Sequence, residues 1–394
     1  MKLDVILGAD ALRPPLTGIG RYTYELAMRL ARHEEVARLR YFSMGQWLDD
    51  PLAALGAPAP STAAPVAAGV RERATLRTRL AGNLLAVRVF CAIAPVFFGW
   101  RLRGNRQAIY HSPNYVVPPF QGRTVSTVLD LSHILYPQFH PQARVDYLNL
   151  TLGPSLARTD HVIAISEAVR QEVIERRLMS PERITAIHLA ADSVFRPHTP
   201  QMLEPAMQAL GLRAGRYTLF VGTVEPRKNV ERLIQAYERL PAAMRREWPL
   251  VVAGGKGWNS EAIHARMARA QAEGWLRYMS FVDQRWLPAL YAGARLLAYP
   301  SLYEGFGLPI VEAMASGTPV LTSNLSCMPE VAAGAARLVN PLDVEDIAAA
   351  LAQCLGSDAW LAQARAQGLA RAAMLSWDAC ADQTVAVYCK LGSS

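Results

Sequence analysis

Short apolar runs of three to five residues alternate along the chain with longer stretches in which apolar positions recur every three or four residues. The short runs predict strands at 5–7, 108–111, 125–129, 161–165, 184–187, 217–221, 250–253, 279–282, 296–299 and 319–322. The longer pattern predicts helices at 20–32, 166–176, 230–239, 287–293 and 309–316. A strand followed by a helix, many times over, predicts an α/β chain of doubly wound parallel sheets covered on both faces. Such sheets hold their ligands beyond the carboxyl ends of the strands.

The alternation breaks once near the middle, at the proline-punctuated segment Phe195-Arg196-Pro197-His198-Thr199-Pro200. With 394 residues the chain is long enough for two cores. The expected organisation is a Rossmann-like domain at 1–195, a second at 211–375, and a helical tail at 376–394. An Ala- and Pro-rich stretch at 53–68 reads as a mobile surface loop.

Charge and cysteine content narrow the classes of function. The chain carries 41 Lys and Arg against 33 Asp and Glu, a net charge of +8. Eight arginines fall within 71–106, where the only acid is Glu72, and they flank the apolar run 89–100. Twelve residues cannot cross a bilayer, and Pro95 interrupts them. The segment suits an anionic membrane surface, or else a buried helix with solvated flanks. It does not look like a nucleic-acid platform. Cys91, Cys327, Cys354, Cys380 and Cys389 are odd in number and scattered, which excludes a disulfide framework or a zinc site and fits a cytoplasmic protein.

The densest chemistry lies at Tyr303-Glu304-Gly305-Phe306-Gly307-Leu308-Pro309, between an expected strand and an expected helix. Pro309 suits the first turn, so the N–H groups of Phe306, Gly307 and Leu308 point out of the helix start and offer a cradle for a diphosphate. Gly305 and Gly307 let a ligand approach the backbone. Glu304 and Glu312 flank that cradle, and a carboxylate suits a vicinal diol. Arg227 and Lys228 stand at another helix start, where cations are unfavourable unless an anion joins them.

This stretch closely resembles the Glu-x7-Glu motif of the family 4 glycosyltransferases, a retaining class with the GT-B fold. The resemblance extends through Phe220–Asn229, Val252–Trp258, Ser323–Ser326 and Pro329–Val331, and to Thr17-Gly18-Ile19-Gly20 and Ala164–Glu167 in the first half. It implies two Rossmann-like domains facing a cleft that holds the active site, with acceptor binding in the first and nucleotide-sugar binding in the second. It further implies that Glu304 meets the donor sugar, Glu312 the ribose, and Arg227 and Lys228 the diphosphate, beside Gly222 and Thr223. Gly18 and Gly20 would approach the donor phosphate from the first domain, and the tail would cross back onto that domain.

Two departures stand out. Many family members carry Gly-Arg where this chain has Gly222-Thr223, and His where it has Leu129. Asp130 follows at a strand end, where it could orient donor or acceptor, and His133 either replaces the missing histidine or is a surface residue. The form of the motifs resembles bacterial polysaccharide and O-antigen transferases. It implies a hexosyltransferase without metal or cofactor, a GDP-mannose-like donor, and a glycan acceptor, lipid-linked if the basic segment meets the inner face of the membrane. The alternative is a nucleotide-sugar-binding protein without transfer activity, or a partner subunit. A dehydrogenase would need a GxGxxG after the first strand, which is absent.

Overall fold

The computed structural model describes residues 2–14, 16–56, 93–94 and 96–392. They form two compact units. The first draws on Met1–Ala164, Arg170–Ile187 and Cys380–Ser394, the second on Ile165–Val169 and His188–Ala379.

The first unit is built on a seven-stranded sheet of β1 (Leu3–Gly8), β2 (Val36–Ser43), β3 (Gln46–Leu48), β4 (Ile109–Ser112), β5 (Arg123–Val128), β6 (His161–Ala164) and β7 (Ile184–Ala186). Its order is β3-β2-β1-β4-β5-β6-β7. All pairs are parallel except the β2–β3 hairpin, whose turn residues Met44 and Gly45 both have positive φ, as a tight two-residue turn requires. The chain leaves β1 toward β2 and later returns on the other side with β4, so the direction of winding reverses between β1 and β4. Helix Gly18–Leu30 follows β1, its start capped by Thr17, whose side chain accepts from Gly20 N. Gly20 is obligatory for close packing, since a Cβ there would stand 2.7 Å from Ala11 O.

Helix Trp377–Gly392 closes the chain. Tyr388 on it bonds to His111 Nδ1 at 2.5 Å, and His111 Nε2 to Thr127 Oγ1 at 2.9 Å, all inside the first unit. Burial pushes the His111 imidazole down to about 3, so it serves here as a neutral linker.

The second unit is a six-stranded parallel sheet of β8 (Thr218–Val221), β9 (Leu250–Ala253), β10 (Leu276–Met279), β11 (Leu296–Tyr299), β12 (Val320–Ser323) and β13 (Arg337–Val339). The order β10-β9-β8-β11-β12-β13 reverses between β8 and β11. The four central strands β9, β8, β11 and β12 are buried almost throughout, which is why they read as continuous apolar runs.

Several expectations need correction. The strand expected at 279–282 is β10, three residues earlier, because Leu276 rather than the exposed Phe281 supplies the buried end. Strands β2, β3 and β13 were not visible as apolar runs: β2 carries Arg38 and Arg40, and β13 opens with Arg337. Within the stretch expected as a loop, Ala53–Gly56 is a helical turn, and 57–68 lies outside the described residues. So does most of the basic segment, 71–92 and Pro95. Among the described residues no helix is long and apolar enough to cross a membrane.

Candidate active site

The two loops that leave β8 and β11 flank the reversal point of the second sheet, where a parallel α/β sheet opens a crevice. The first runs from Gly222 to Asn229. Its backbone continues pairing with the loop after β9: Gly222 N donates to Ala253 O and Val224 N to Gly255 O, each at 2.9 Å. Gly222 and Gly254 adopt φ of 152° and 149°, and a Cβ on Gly254 would lie 2.0 Å from Gly222 O. Only glycine permits this contact, which fixes the path of the chain into Pro226–Lys228, a single 3-10 turn. Asn229 ends that turn in the left-handed region and donates through Nδ2 to Pro300 O and Pro341 O.

The second loop carries Glu304, which is buried and heavily bonded. Its Oε1 accepts from Lys228 Nζ at 2.7 Å and from Tyr299 Oη at 2.9 Å; its Oε2 accepts from Arg227 Nη1 at 2.9 Å. Arg227 also donates to Tyr303 O at 2.7 Å and, through Nε and Nη2, to the buried carboxylate of Glu225. In return Leu302 N donates to Arg227 O, so the two loops are laced by backbone as well as side chains. Burial alone would raise the Glu304 carboxyl, but Arg227 and Lys228 outweigh it and hold it at about 2. Burial pushes the Lys228 ammonium below its ordinary range while Glu304 opposes that shift.

Lys228 also donates to Tyr299 Oη at 2.7 Å and sits 5.3 Å from the centre of the Tyr299 ring, which stacks on Phe220. Two of its three N–H groups are thus committed, and among the described residues the third has no acceptor.

Beyond Glu304 the chain turns into helix Leu308–Ala315, with Gly307 as N-cap at φ 89° and Pro309 in the first turn, as the sequence predicts. The amides of Gly305, Phe306, Gly307 and Leu308 donate no hydrogen bond within the described residues. Four free N–H groups at a helix start form an anion cradle. The loop is pinned from behind: Ser326 Oγ and Cys327 Sγ donate to Glu304 O, and Ser166 Oγ donates to Gly305 O. Glu312, half-buried one turn into the helix, accepts from Tyr291 Oη at 2.7 Å. Thr223, in the loop after β8, is exposed.

The structure therefore brings Gly222, Thr223, Arg227, Lys228, Glu304, Gly305, Phe306, Gly307, Leu308 and Glu312 together within the second unit. Gly18, Gly20, Asp130 and His133 belong to the first. Asp130 follows β5 and accepts through Oδ1 from Ser132 N and Ser132 Oγ. His133 is not a surface residue; it is fully buried, packs 5.8 Å from the Tyr115 ring, and neither ring nitrogen has a hydrogen-bond partner. Burial lowers its pKa, against the opposing charge of Asp130. Among the described residues no three His, Cys, Asp or Glu side chains group as a metal-ligand set.

Comparison with known proteins agrees with this geometry. A model of the family "Glycosyl transferases group 1" matches residues 207–369, which contain every member of the Glu304 network. The O-antigen chain mannosyltransferase B of Escherichia coli is 36% identical over 386 residues, spanning 98% of this chain and 99% of that protein. The chain belongs to the group 1 glycosyl transferases. Solved structures agree on a GT-B architecture. WaaG, a glycosyltransferase involved in lipopolysaccharide biosynthesis, superposes with a TM-score of 0.71 at 16% identity, covering 97% of this chain and 99% of WaaG. Anabaena HepE in complex with UDP gives 0.65 at 18% identity, covering 99% and 100%.

In this glycosyltransferase the sequence pattern left Glu225 and Tyr299 unassigned. Both are buried polar groups that complete the Glu304 network, and a buried acid two residues before an Arg-Lys pair was the available signal. Ser326 and Cys327 act only through backbone carbonyls, and nothing in their residue types announces that.

Proposed function

We propose that this glycosyltransferase moves a hexose, most simply mannose, from a nucleoside-diphosphate sugar to a growing glycan with retention of anomeric configuration. The observation that carries the reading is the ionised, buried Glu304, locked by Lys228 and Arg227 beside four unbonded amides. A diphosphate seated on those amides and on the free N–H of Lys228 gains charge as the glycosidic bond breaks. Fixed donors in a largely dry site stabilise that charge most in the transition state. In this reading Glu304 accepts from sugar hydroxyls, and Glu312 from the ribose.

In this reading the departing diphosphate oxygen takes the acceptor's proton as the acceptor attacks the same face of the sugar. No side chain forms a covalent intermediate, and Lys228 with the amides takes the charge that a metal ion would otherwise carry. Arg227, four of whose N–H groups already serve Glu225, Tyr303 and Glu304, acts mainly by fixing Glu304. The mannose donor, carried by GDP, and an O-antigen-like acceptor are inferred from the mannosyltransferase that this chain resembles along its full length. The UDP held by HepE shows that this fold also takes other bases.

A peripheral position on the inner membrane face is part of the proposal. Ile93, Val96 and Trp100 are 62%, 70% and 56% exposed, with Phe97 beside them, while Phe98 turns inward onto Phe42. Arg101, Arg103 and Arg106 follow at once. An apolar ridge with adjoining cations suits an anionic lipid surface.

The test is transfer from GDP-mannose to a synthetic mannose-terminated oligosaccharide, with the product anomer read by NMR. An α-linked product from the α-linked donor supports the reading. A β-linked product overturns retention, and binding of GDP-mannose with neither transfer nor slow GDP release marks a non-catalytic binding protein.

A further inference from the structure

The cradle loop of the second unit is held by groups outside the Glu304 network, and two of them lead to the same carboxylate. The segment Ile165–Val169 belongs to this unit, as do His188 and the short helix Met328–Ala332. Ser166 Oγ, which donates to Gly305 O at 2.8 Å, also accepts from Val169 N at 3.2 Å. In a planar trans peptide the carbonyl and the N–H point in opposite directions. Drawing Gly305 O toward Ser166 therefore aims the Phe306 N–H, one of the free cradle amides, to the other side. The buried Phe306 ring is in turn covered by the His188 ring, 5.8 Å away between centres.

Glu330 joins these two contacts. Its Oε1 accepts from Glu167 N at 2.7 Å and from His188 Nε2 at 2.5 Å, and its Oε2 accepts from Ala168 N at 2.9 Å. Amides 167 and 168 directly follow Ser166, so they fix the turn from which its hydroxyl reaches Gly305. The third bond fixes the ring that packs on Phe306. Burial raises the Glu330 carboxyl, but the bonds from His188, Glu167 and Ala168 outweigh it and hold it below its ordinary range. Its backbone is held as well: Arg371 donates through Nη2 to Glu330 O at 3.3 Å and through Nε to Val331 O at 2.9 Å.

An anion gains from backbone amides to the extent that their directions are set before it arrives. Resting on the diphosphate reading above, we propose that Glu330 is a positioning residue for the donor. Acting through Ser166 and His188, it sets the direction of the Phe306 N–H toward the diphosphate.

The experiment uses the full chain with Glu330→Gln and His188→Ala as variants. Calorimetric titration with GDP, and with UDP in parallel, is paired with transfer kinetics from GDP-mannose. Gln keeps the size of Glu330 but turns an amide NH₂ toward one of its three donors. In Glu330→Gln the GDP Kd and the donor KM should rise together by about tenfold or more, as expected when bonds to a charged group are lost. The acceptor KM should not move. A donor KM within about twofold of wild type in the folded variant overturns the proposal, and so do equal rises in donor and acceptor KM, which a general loosening would give. Should Glu330→Gln fail to fold, His188→Ala decides: a donor KM raised about threefold or more supports the proposal, and an unchanged one overturns it. Wild type that binds neither GDP nor UDP overturns instead the diphosphate reading on which the proposal rests.

Discussion

The strand ends of the two sheets are built on the same topological plan but finished in opposite ways. Beyond β8 and β11, Glu304, Arg227, Lys228, Glu225 and Tyr299 satisfy one another in a dense buried network. Beyond β1 and β4, Asp10 is half-satisfied and the Asn114 oxygen unsatisfied. A site that must stabilise developing charge gains from groups fixed before the substrate arrives, since no reorganisation is then needed at the moment of reaction. The contrast teaches that one topology can finish its strand ends with a mutually bonded buried network or with unmatched polar groups by varying only the loops.

The largest effect that would sharpen this comparison is expected at Glu304. Glu304→Gln removes the negative partner of two cations and the hydroxyl acceptor for the sugar. Transfer should fall by about 10²–10³ or more, measured as kcat with saturating donor, while the thermal shift from GDP alone stays near wild type. Near-normal kcat would detach Glu304 from the chemistry.

Next comes Glu225, whose buried carboxylate pairs with Arg227. Glu225→Ala leaves a buried guanidinium half unpaired, and breaking such a pair costs about 3–5 kcal/mol. The melting temperature should drop by several degrees and kcat by roughly tenfold or more through misplaced Glu304. Glu225→Gln should restore most of the stability but less of the rate. Loss of stability with full kcat would make Glu225 a purely structural brace.

The smallest effect is in acid. The Glu304 carboxyl has an ordinary value of 4.5 and is held at about 2 in the folded chain. A depressed folded value means that its pairing stabilises the protein fully above the unfolded value and is lost as pH falls toward 2. Between pH 5 and 3 wild type should therefore lose more stability than Glu304→Gln, as read by urea denaturation. Parallel curves would mean that the pairing adds nothing.

Much of the second unit was legible in the sequence because its strands are buried on both faces and its site is spelled in contiguous residues: Glu304 through Pro309 reads as strand end, glycine loop and helix start. The strands β2 and β13 were not, since a single sequence cannot tell that Arg38 and Arg40 sit on a half-exposed edge. Nor could spacing alone show that Arg227 would be taken up by Glu225, or that His133 would be buried without a partner, because both depend on contacts made across the fold. A pocket lined by Asp10 and Asn114 joins residues about a hundred positions apart, and only the pairing of β1 with β4 brings them together.

Hydrogen exchange tests the central claim most directly. The amides of Gly305, Phe306, Gly307 and Leu308 donate to nothing in the free protein, so they should exchange quickly for buried backbone. Saturating GDP-mannose should slow peptides covering 303–312 and 222–229 markedly and leave strand cores such as 250–253 unchanged. Strong donor binding with no protection at 305–308 would contradict the account.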